Sequence, residues 1–350
     1  MVSKWVENPY WQYFCGEERF QHELPCHPTS LVKWRKYIGV EGMETLLKEI
    51  LSTAMRMGAL KAKDIERVNV DTTVQEKAIA FPTDARLYDN ARRTLVKAAQ
   101  SRHLPLRQSY VRVGKRALFQ QSRYRVARQL KRARKHTRKL RTYLGRVIRD
   151  IERKIPQPDA VMQTLLERAT QIFQQERNDT HKLYSMHAPE VECIAKGKIH
   201  KRYEFGCKVV LVTTSQTNWI VGAMAVHGNP YDGATLTRAI EQTQRLNGQR
   251  PKQAAVDKGF RGQRHHPSDL KVLVAGTRRF TGTLRRWLKR RSAIEPVISH
   301  AKYDHGLNRN YLKGEQGDGI NTLLAACGFN LRKLWRFFHD LHCSSSCLTA

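Results

Sequence analysis

Residues 66–74 read ERVNVDTTV, and the alternation in that stretch decides the architecture. Val68, Val70, Thr72 and Val74 fall on one side of an extended chain, and Asn69, Asp71 and Thr73 on the other. The pattern predicts a half-buried strand with an acid on the side away from the valines. Further strand signals come much later. YEFGCKVVLVTT, from 203, and NWIVGAMAVHG are apolar runs joined around SQTN, a turn composition, and predict a hairpin. DGATLTRAIEQTQRLNG reads as a helix stopped by Gly248, and QAAVD and KVLVAG (271–276) as short strands. Residues 283–306 predict a helix kinked at Pro296, and a last helix is expected over 318–341. Strands alternating with helices in this order place the chain in the α/β class.

Between the first strand and the hairpin lies a long basic region. Residues 112–154 hold 17 Lys or Arg against two acids, Asp150 and Glu152. Val126, Leu130, Ala133, Thr137, Leu140, Leu144, Val147 and Ile151 recur at steps of four and three, so one helix is expected to carry a narrow apolar seam. IPQP at 155–158 ends it, and Val161, Leu165, Ala169 and Ile172 predict a returning arm. A hairpin that buries this seam presents its cations outward. Arg128, Lys131, Arg132, Lys135, Arg138 and Lys139 are the expected phosphate contacts.

The whole composition points the same way. The 350 residues carry 63 Lys plus Arg against 31 Asp plus Glu, a formal net charge of +32, which calls for a polyanionic partner. Hydrophobic content of 40% with 6 Trp, 12 Tyr and 11 Phe excludes global disorder. No apolar run of about 18 residues is present, so no membrane helix is expected. Seven scattered cysteines do not form a disulfide scaffold and read as reduced thiols in a cytosol. Cys15, Cys26, Cys193, Cys207 and Cys327 are expected as buried small hydrophobes, and Cys343 and Cys347 as part of a frayed tail over 343–350. In residues 1–62, Leu46, Leu47, Ile50, Leu51, Ala54 and Met55 mark one helix face. Gly39 is the expected stop of a preceding helix capped at Thr29 or Ser30. A helix-turn-helix and a plain packing bundle both fit that segment.

Three acids stand out. Asp71 and Asp257 lie on separate strands, and Glu295 on a helix that can pack over the same sheet edge. Three converging carboxylates repel unless divalent cations sit between them. Two Mg²⁺ or Mn²⁺ about 4 Å apart suit phosphodiester chemistry. Arg291, four residues before Glu295, and Lys302, seven after it, share its helical stripe within about 40° and could hold a DNA phosphate. Each acid alone has a plain structural reading as a cap, an edge residue or a surface ion pair. His187 and His227 form no ligand set but could approach the cleft.

With those residues in hand, the sequence resembles the DDE transposases of bacterial insertion sequences, of the insertion-sequence-five type. NPYWQYFCGEERFQHELPCHPTSLVKWRKYIG resembles their N-terminal helical domain and VNVDTTVQEKAIAFPTDARL the segment of the first catalytic Asp. KLYSMHAPEVECIAKGKIHKRYEFGCKV resembles the segment after their helical insertion, AVDKGFRG the second Asp motif, and NRNYLKG with INTLLAACGFNLRKL the C-terminal signature. The resemblance implies a ribonuclease-H-like core over 63–86 and 187–342, a helical DNA-binding or dimerisation domain over 1–62, and a basic helical insertion over 87–186. It implies Asp71, Asp257 and Glu295 as a metal triad for cleavage and strand transfer at terminal inverted repeats. The implied partners are double-stranded DNA and further copies of the chain in a homodimer or larger synaptic complex, in a cytoplasmic, nucleoid-associated protein. Arg291, Glu295 and Lys302 fall in register with the family's Tyr-x-x-Arg-x-x-x-Glu-x-x-x-x-x-x-Lys motif, but Leu288 stands at its Tyr position with Trp287 beside it. The family usually has a further helical segment ahead of the part resembling Trp5 to Gly16, so an N-terminally shortened copy is expected. Two rival readings stay open: a shortened copy that binds ends without turnover, and a host structure-selective nuclease with the same core.

Overall fold

The computed structural model describes residues 2–195, 202–276 and 282–346. The chain starts with two short helices, α1 (Val2–Val6) and α2 (Pro9–Phe14), then α3 (Ser30–Arg56) and a single turn, α4 (Ala62–Ile65). Asn8 starts α2 by accepting the Trp11 N–H at 3.1 Å, with Pro9 in the first helical position, where a missing donor is harmless. Helix α3 is broken at Gly39, whose φ of 66° and ψ of −165° suit a residue without a Cβ. Met43, Leu47, Ile50, Leu51 and Ala54 after the break are buried in one core with Val68, Val70, Val210 and Ile240. This half of α3 is therefore a layer of the sheet's own core, while Leu46 is turned to solvent.

Strand β1 (Arg67–Lys77) covers the alternating stretch around Asp71. From Val68 onward it is buried on both faces except at Asp71, Thr72 and Glu76, rather than half-buried along its length. Asn69 and Thr73, expected toward solvent, are covered because helices also pack on the acid's side. Four helices follow: α5 (Asp84–Gln100), α6 (Val111–Val126), α7 (Leu130–Lys154) and α8 (Ala160–Gln174). The remaining elements are β2 (Glu192–Ala195), β3 (Tyr203–Thr214), β4 (Ile220–Val226), α9 (Leu236–Asn247), β5 (Gln253–Val256), β6 (Lys271–Val274), α10 (Gly282–Arg290), α11 (Ile294–Tyr303), β7 (Arg309–Asn310) and α12 (Gly314–Ser346).

The result is a mixed α/β fold. Its main strand order is β4–β3–β1–β5–β6, with β2 beside β3 and β7 beside β1 at the other end. β3 runs antiparallel to β1 and to β4, whereas β5 is parallel to β1 and β6 parallel to β5. The hairpin around SQTN and the stop at Gly248, which adopts φ 70°, are present as expected. The last helix is longer than expected. It reaches Ser346, so Cys343 lies in a helix and not in a tail, and Cys347 falls outside the described residues.

Helices α5 to α8 build a second core of their own, from Ala85 to Met186. Leu140, Leu144, Val147 and Ile151 of the expected seam are buried there, each worth about 1.5–3 kcal/mol relative to exposure. The seam does not run unbroken from Val126. Arg128 takes a left-handed φ of 55° and ends α6 in a turn, which leaves Val126 83% exposed and Leu130 half out. The basic region is thus two antiparallel helices within a four-helix bundle, not one long arm. Two cysteines, Cys207 and Cys327, are buried as expected; Cys15 is exposed and Cys26 and Cys193 are half-buried.

Candidate active site

Asp71 and Asp257 are placed together by strand register. Asn69 of β1 pairs with Ala255 of the parallel strand β5, so both acids stand two residues farther along adjacent strands. Side chains two positions on return to the same face, and neighbouring strands are about 4.8 Å apart. Asp71 Oδ1 accepts the Thr72 N–H at 2.8 Å, and Asp257 Oδ1 accepts the Gly259 N–H at 2.8 Å, capping the turn that leaves β5.

Glu295 reaches this edge from a different element than the one expected. The stretch after α10 is not one helix kinked at Pro296. It breaks at 291–293 into a tight turn, and Pro296 sits in the first turn of α11, where its missing N–H costs nothing. Trp287 of α10 is buried against Ala255 and Leu273, with the Arg67 guanidinium 5.8 Å from its ring, so it faces the sheet and not the cleft. Asn69 Nδ2 donates to the Arg290 carbonyl at 3.4 Å, and Arg290 donates to the carbonyls of Ser215 and Gln216. Val297 and Ala301 bury the inner face of α11. These contacts set Arg291 over β1: its Nη1 donates to Asp71 Oδ2 at 3.2 Å, and its Nη2 stands 3.8 Å from Glu295 Oε1. Glu295 itself is 66% exposed at the side chain. Lys302 is half-buried on α11, with its carbonyl accepting the Asn308 N–H. Since Arg291 lies in the turn before α11, the single helical stripe expected for Arg291, Glu295 and Lys302 is replaced by a turn and a helix.

A fourth acid stands close by. The point where a Cβ on Gly259 would lie is 2.8 Å from Asp232 Oδ2 and 3.0 Å from Asp257 Oδ1. Asp232 is held by Lys208 of β3, whose Nζ is 2.8 Å from Oδ1. Sequence reasoning passed over Asp232 because NPYDG reads as a turn before a helix, where an acid is an ordinary start signal.

The basic helices present a groove lined by Lys131, Arg134, Lys135, Arg138, Lys139 and Arg146 of α7. Four of the six residues expected to meet phosphate line it. Arg132 points elsewhere, donating to Gln129 Oε1 at 2.9 Å with its guanidinium 5.7 Å from the Tyr124 ring, and Arg128 belongs to the turn between α6 and α7. His187 bonds Ser185 and borders a groove with Arg92, while His227 faces Asp318 and Glu192.

No family model matches the chain, and no solved structure matches it. A protein of Rhizobium meliloti described as uncharacterized protein ORF8 in the nfe locus is 53% identical over 129 residues, 37% of this chain. The chain covers 62% of that relative's length.

Proposed function

We propose that the chain is a DNA transposase that cleaves phosphodiester bonds at terminal inverted repeats and joins the freed ends to target DNA. One observation carries this reading: Asp71 and Asp257 each stand two residues past the paired Asn69 and Ala255 of the parallel strands β1 and β5, Asp257 in the turn that leaves β5, with Glu295 drawn to Asp71 through Arg291. The strand order, antiparallel on one side of β1 and parallel on the other, also suits a ribonuclease-H-like core.

Partly exposed carboxylate oxygens are hard donors and fit Mg²⁺ or Mn²⁺. Asp71 and Asp257 would hold the first ion and Glu295 would complete a second site. When bound, the ions would lower the pKa of an attacking water or 3′-hydroxyl and stabilise the leaving oxygen. The chain's own side chains do the positioning. Arg291 is within reach of the scissile phosphate once its carboxylate partners are engaged elsewhere, and Lys302 extends the same cationic edge. The α7 groove holds flanking DNA through Lys131, Lys135, Arg138 and Lys139, which makes binding salt-sensitive. A second copy in a synaptic complex would bring the two ends together, and DNA binding would place the protein on the nucleoid.

The test is cleavage and strand transfer on DNA carrying the gene's own flanking ends, with Mg²⁺ or Mn²⁺, comparing the native chain with Glu295→Gln. Metal-dependent products lost in the variant support the reading. Equal end binding with no cleavage by either protein would leave a binding-only derivative. Cleavage indifferent to the end sequence would favour a structure-selective nuclease.

A further inference from the structure

A second polar cluster is buried away from the Asp71 edge, where β2, β3, β4 and the start of α12 meet. Cys207 of β3, His227 just after β4 and Asp318 of α12 each offer a donor atom, and these atoms lie within 4.8 Å of one another. The hydrogen-bond donors around Asp318 converge on one oxygen. Oδ1 accepts from Lys77 at 2.9 Å, Asn310 at 2.6 Å and Gln75 at 3.4 Å, while Oδ2 faces His227 Nε2 at 3.7 Å. On the other side of the ring, Nδ1 is 3.7 Å from Glu192 Oε1. Neither separation is a hydrogen bond. Both ring nitrogens and Glu192 Oε2 are sealed from solvent with no hydrogen-bond partner, a costly arrangement for protein alone. Among the described residues, Lys77 is shared between Glu190 and Asp318, and Glu192 adds a third carboxylate.

We infer that Cys207 Sγ, His227 Nε2 and Asp318 Oδ2 bind one Zn²⁺, with Glu192 accepting the Nδ1–H of His227. A mixed thiolate, imidazole and carboxylate set is the donor chemistry of zinc, unlike the all-oxygen set at Asp71. Bonds of about 2.3 Å to sulfur and about 2.0–2.1 Å to nitrogen and oxygen require donor separations of roughly 3.3–3.6 Å. The Nε2–Oδ2 pair, at 3.7 Å, is already close to this, and no other pair need close by more than about 1.5 Å. A carboxylate that takes the second N–H of a ligating histidine fixes its tautomer and orientation, which is the place Glu192 occupies. The ion would join residues 207, 227 and 318, tying the first turns of α12 to the far strands of the sheet. Three protein ligands leave the fourth tetrahedral position to a water, and the site does not depend on the proposed cleavage.

The experiment uses the full chain purified without chelator, quantified for bound zinc and then reconstituted with Co²⁺. One zinc per chain and a thiolate-to-cobalt charge-transfer band are expected. Cys207→Ser should abolish the band, whereas Cys15→Ser and Asp71→Asn should leave it unchanged. Should Cys207→Ser not fold, His227→Gln is the second variant, expected to lose at least tenfold in zinc affinity while keeping the native circular dichroism. A folded native chain that retains no zinc and gives no cobalt band overturns the inference, as does a band that survives both Cys207→Ser and His227→Gln.

Discussion

The Arg291 guanidinium donates to Asp71 Oδ2 at 3.2 Å across 220 positions of sequence, and its other terminal nitrogen stands beside Glu295. A positive charge thus occupies the gap between two of the three proposed metal ligands. Such a charge competes with a divalent ion, yet could later serve a phosphate. Arg291→Gln is therefore expected to bind Mn²⁺ at least as tightly as the native chain while cleaving about 10²-fold more slowly. Metal titration followed by single-turnover cleavage checks both arms. A variant whose metal affinity falls would sink the idea that Arg291 holds the place of a cation.

The two sides of the basic helix should behave differently toward DNA. Lys135→Gln and Arg138→Gln remove groove cations, so each is expected to weaken binding to any duplex and to flatten the salt dependence, by about 0.9 for every phosphate that is no longer neutralised. Arg132→Gln should change little, because its guanidinium is engaged with Gln129 and the Tyr124 ring. Binding isotherms at several salt concentrations separate the cases. An equal weakening in all three variants would mean the groove is not the surface that meets DNA.

Within the bundle, Arg92 is buried and bonded to Asp89 at 2.6 Å and to the Ser109 carbonyl at 2.8 Å. Arg92→Met strands a buried carboxylate and should destabilise the chain by about 3–5 kcal/mol. The double variant Asp89→Leu with Arg92→Met should recover most of that loss. Denaturant melts give the comparison, and a single variant within about 0.5 kcal/mol of the native chain would show that the pair is not a structural anchor.

Acid sensitivity has a definite source at the start of α8. The Arg102 side chain, with the Met162 N–H, holds the Asp159 carboxyl down from 3.8 to about 2. Because the folded-state value is depressed, the charged cap stabilises the fold above the ordinary carboxylate range, and that contribution fades as pH falls toward about 2. Asp159→Asn retains a capping oxygen but loses the charge. Its melting temperature should lie below the native one near neutral pH, and the gap should close through acid. A gap that stays constant with pH would assign the effect to shape rather than charge.

Much of the fold is written locally. Alternation located β1, two apolar runs around a turn composition located the hairpin of β3 and β4, and the three-and-four spacing located the buried faces of α3 and α7, because such patterns report which side of an element avoids water. Gly39 and Gly248 marked real interruptions, since their backbone angles are a local property. The break at Arg128 was illegible because a seam can be continued on paper through a residue that the fold turns left-handed to bring α6 back on α7. Likewise, the burial of Asn69 depends on a helix end 221 positions away, at Arg290.

The sequence by itself determined the charge, the types of the strongly patterned elements such as β1, β3, β4, α7 and α9, and the candidacy of Asp71, Asp257 and Glu295, all properties of single residues and their near neighbours. Tertiary structure alone decided which acids share an edge. Parallel pairing of β1 and β5 brings the stations of Asp71 and Asp257 to one edge, the broken turn at 291–293 aims Arg291 between Asp71 and Glu295, and the turn before α9 adds Asp232 near Asp257. The buried meeting of Cys207, His227 and Asp318 has the same origin. Long-range pairing sets distances that no spacing along the chain encodes.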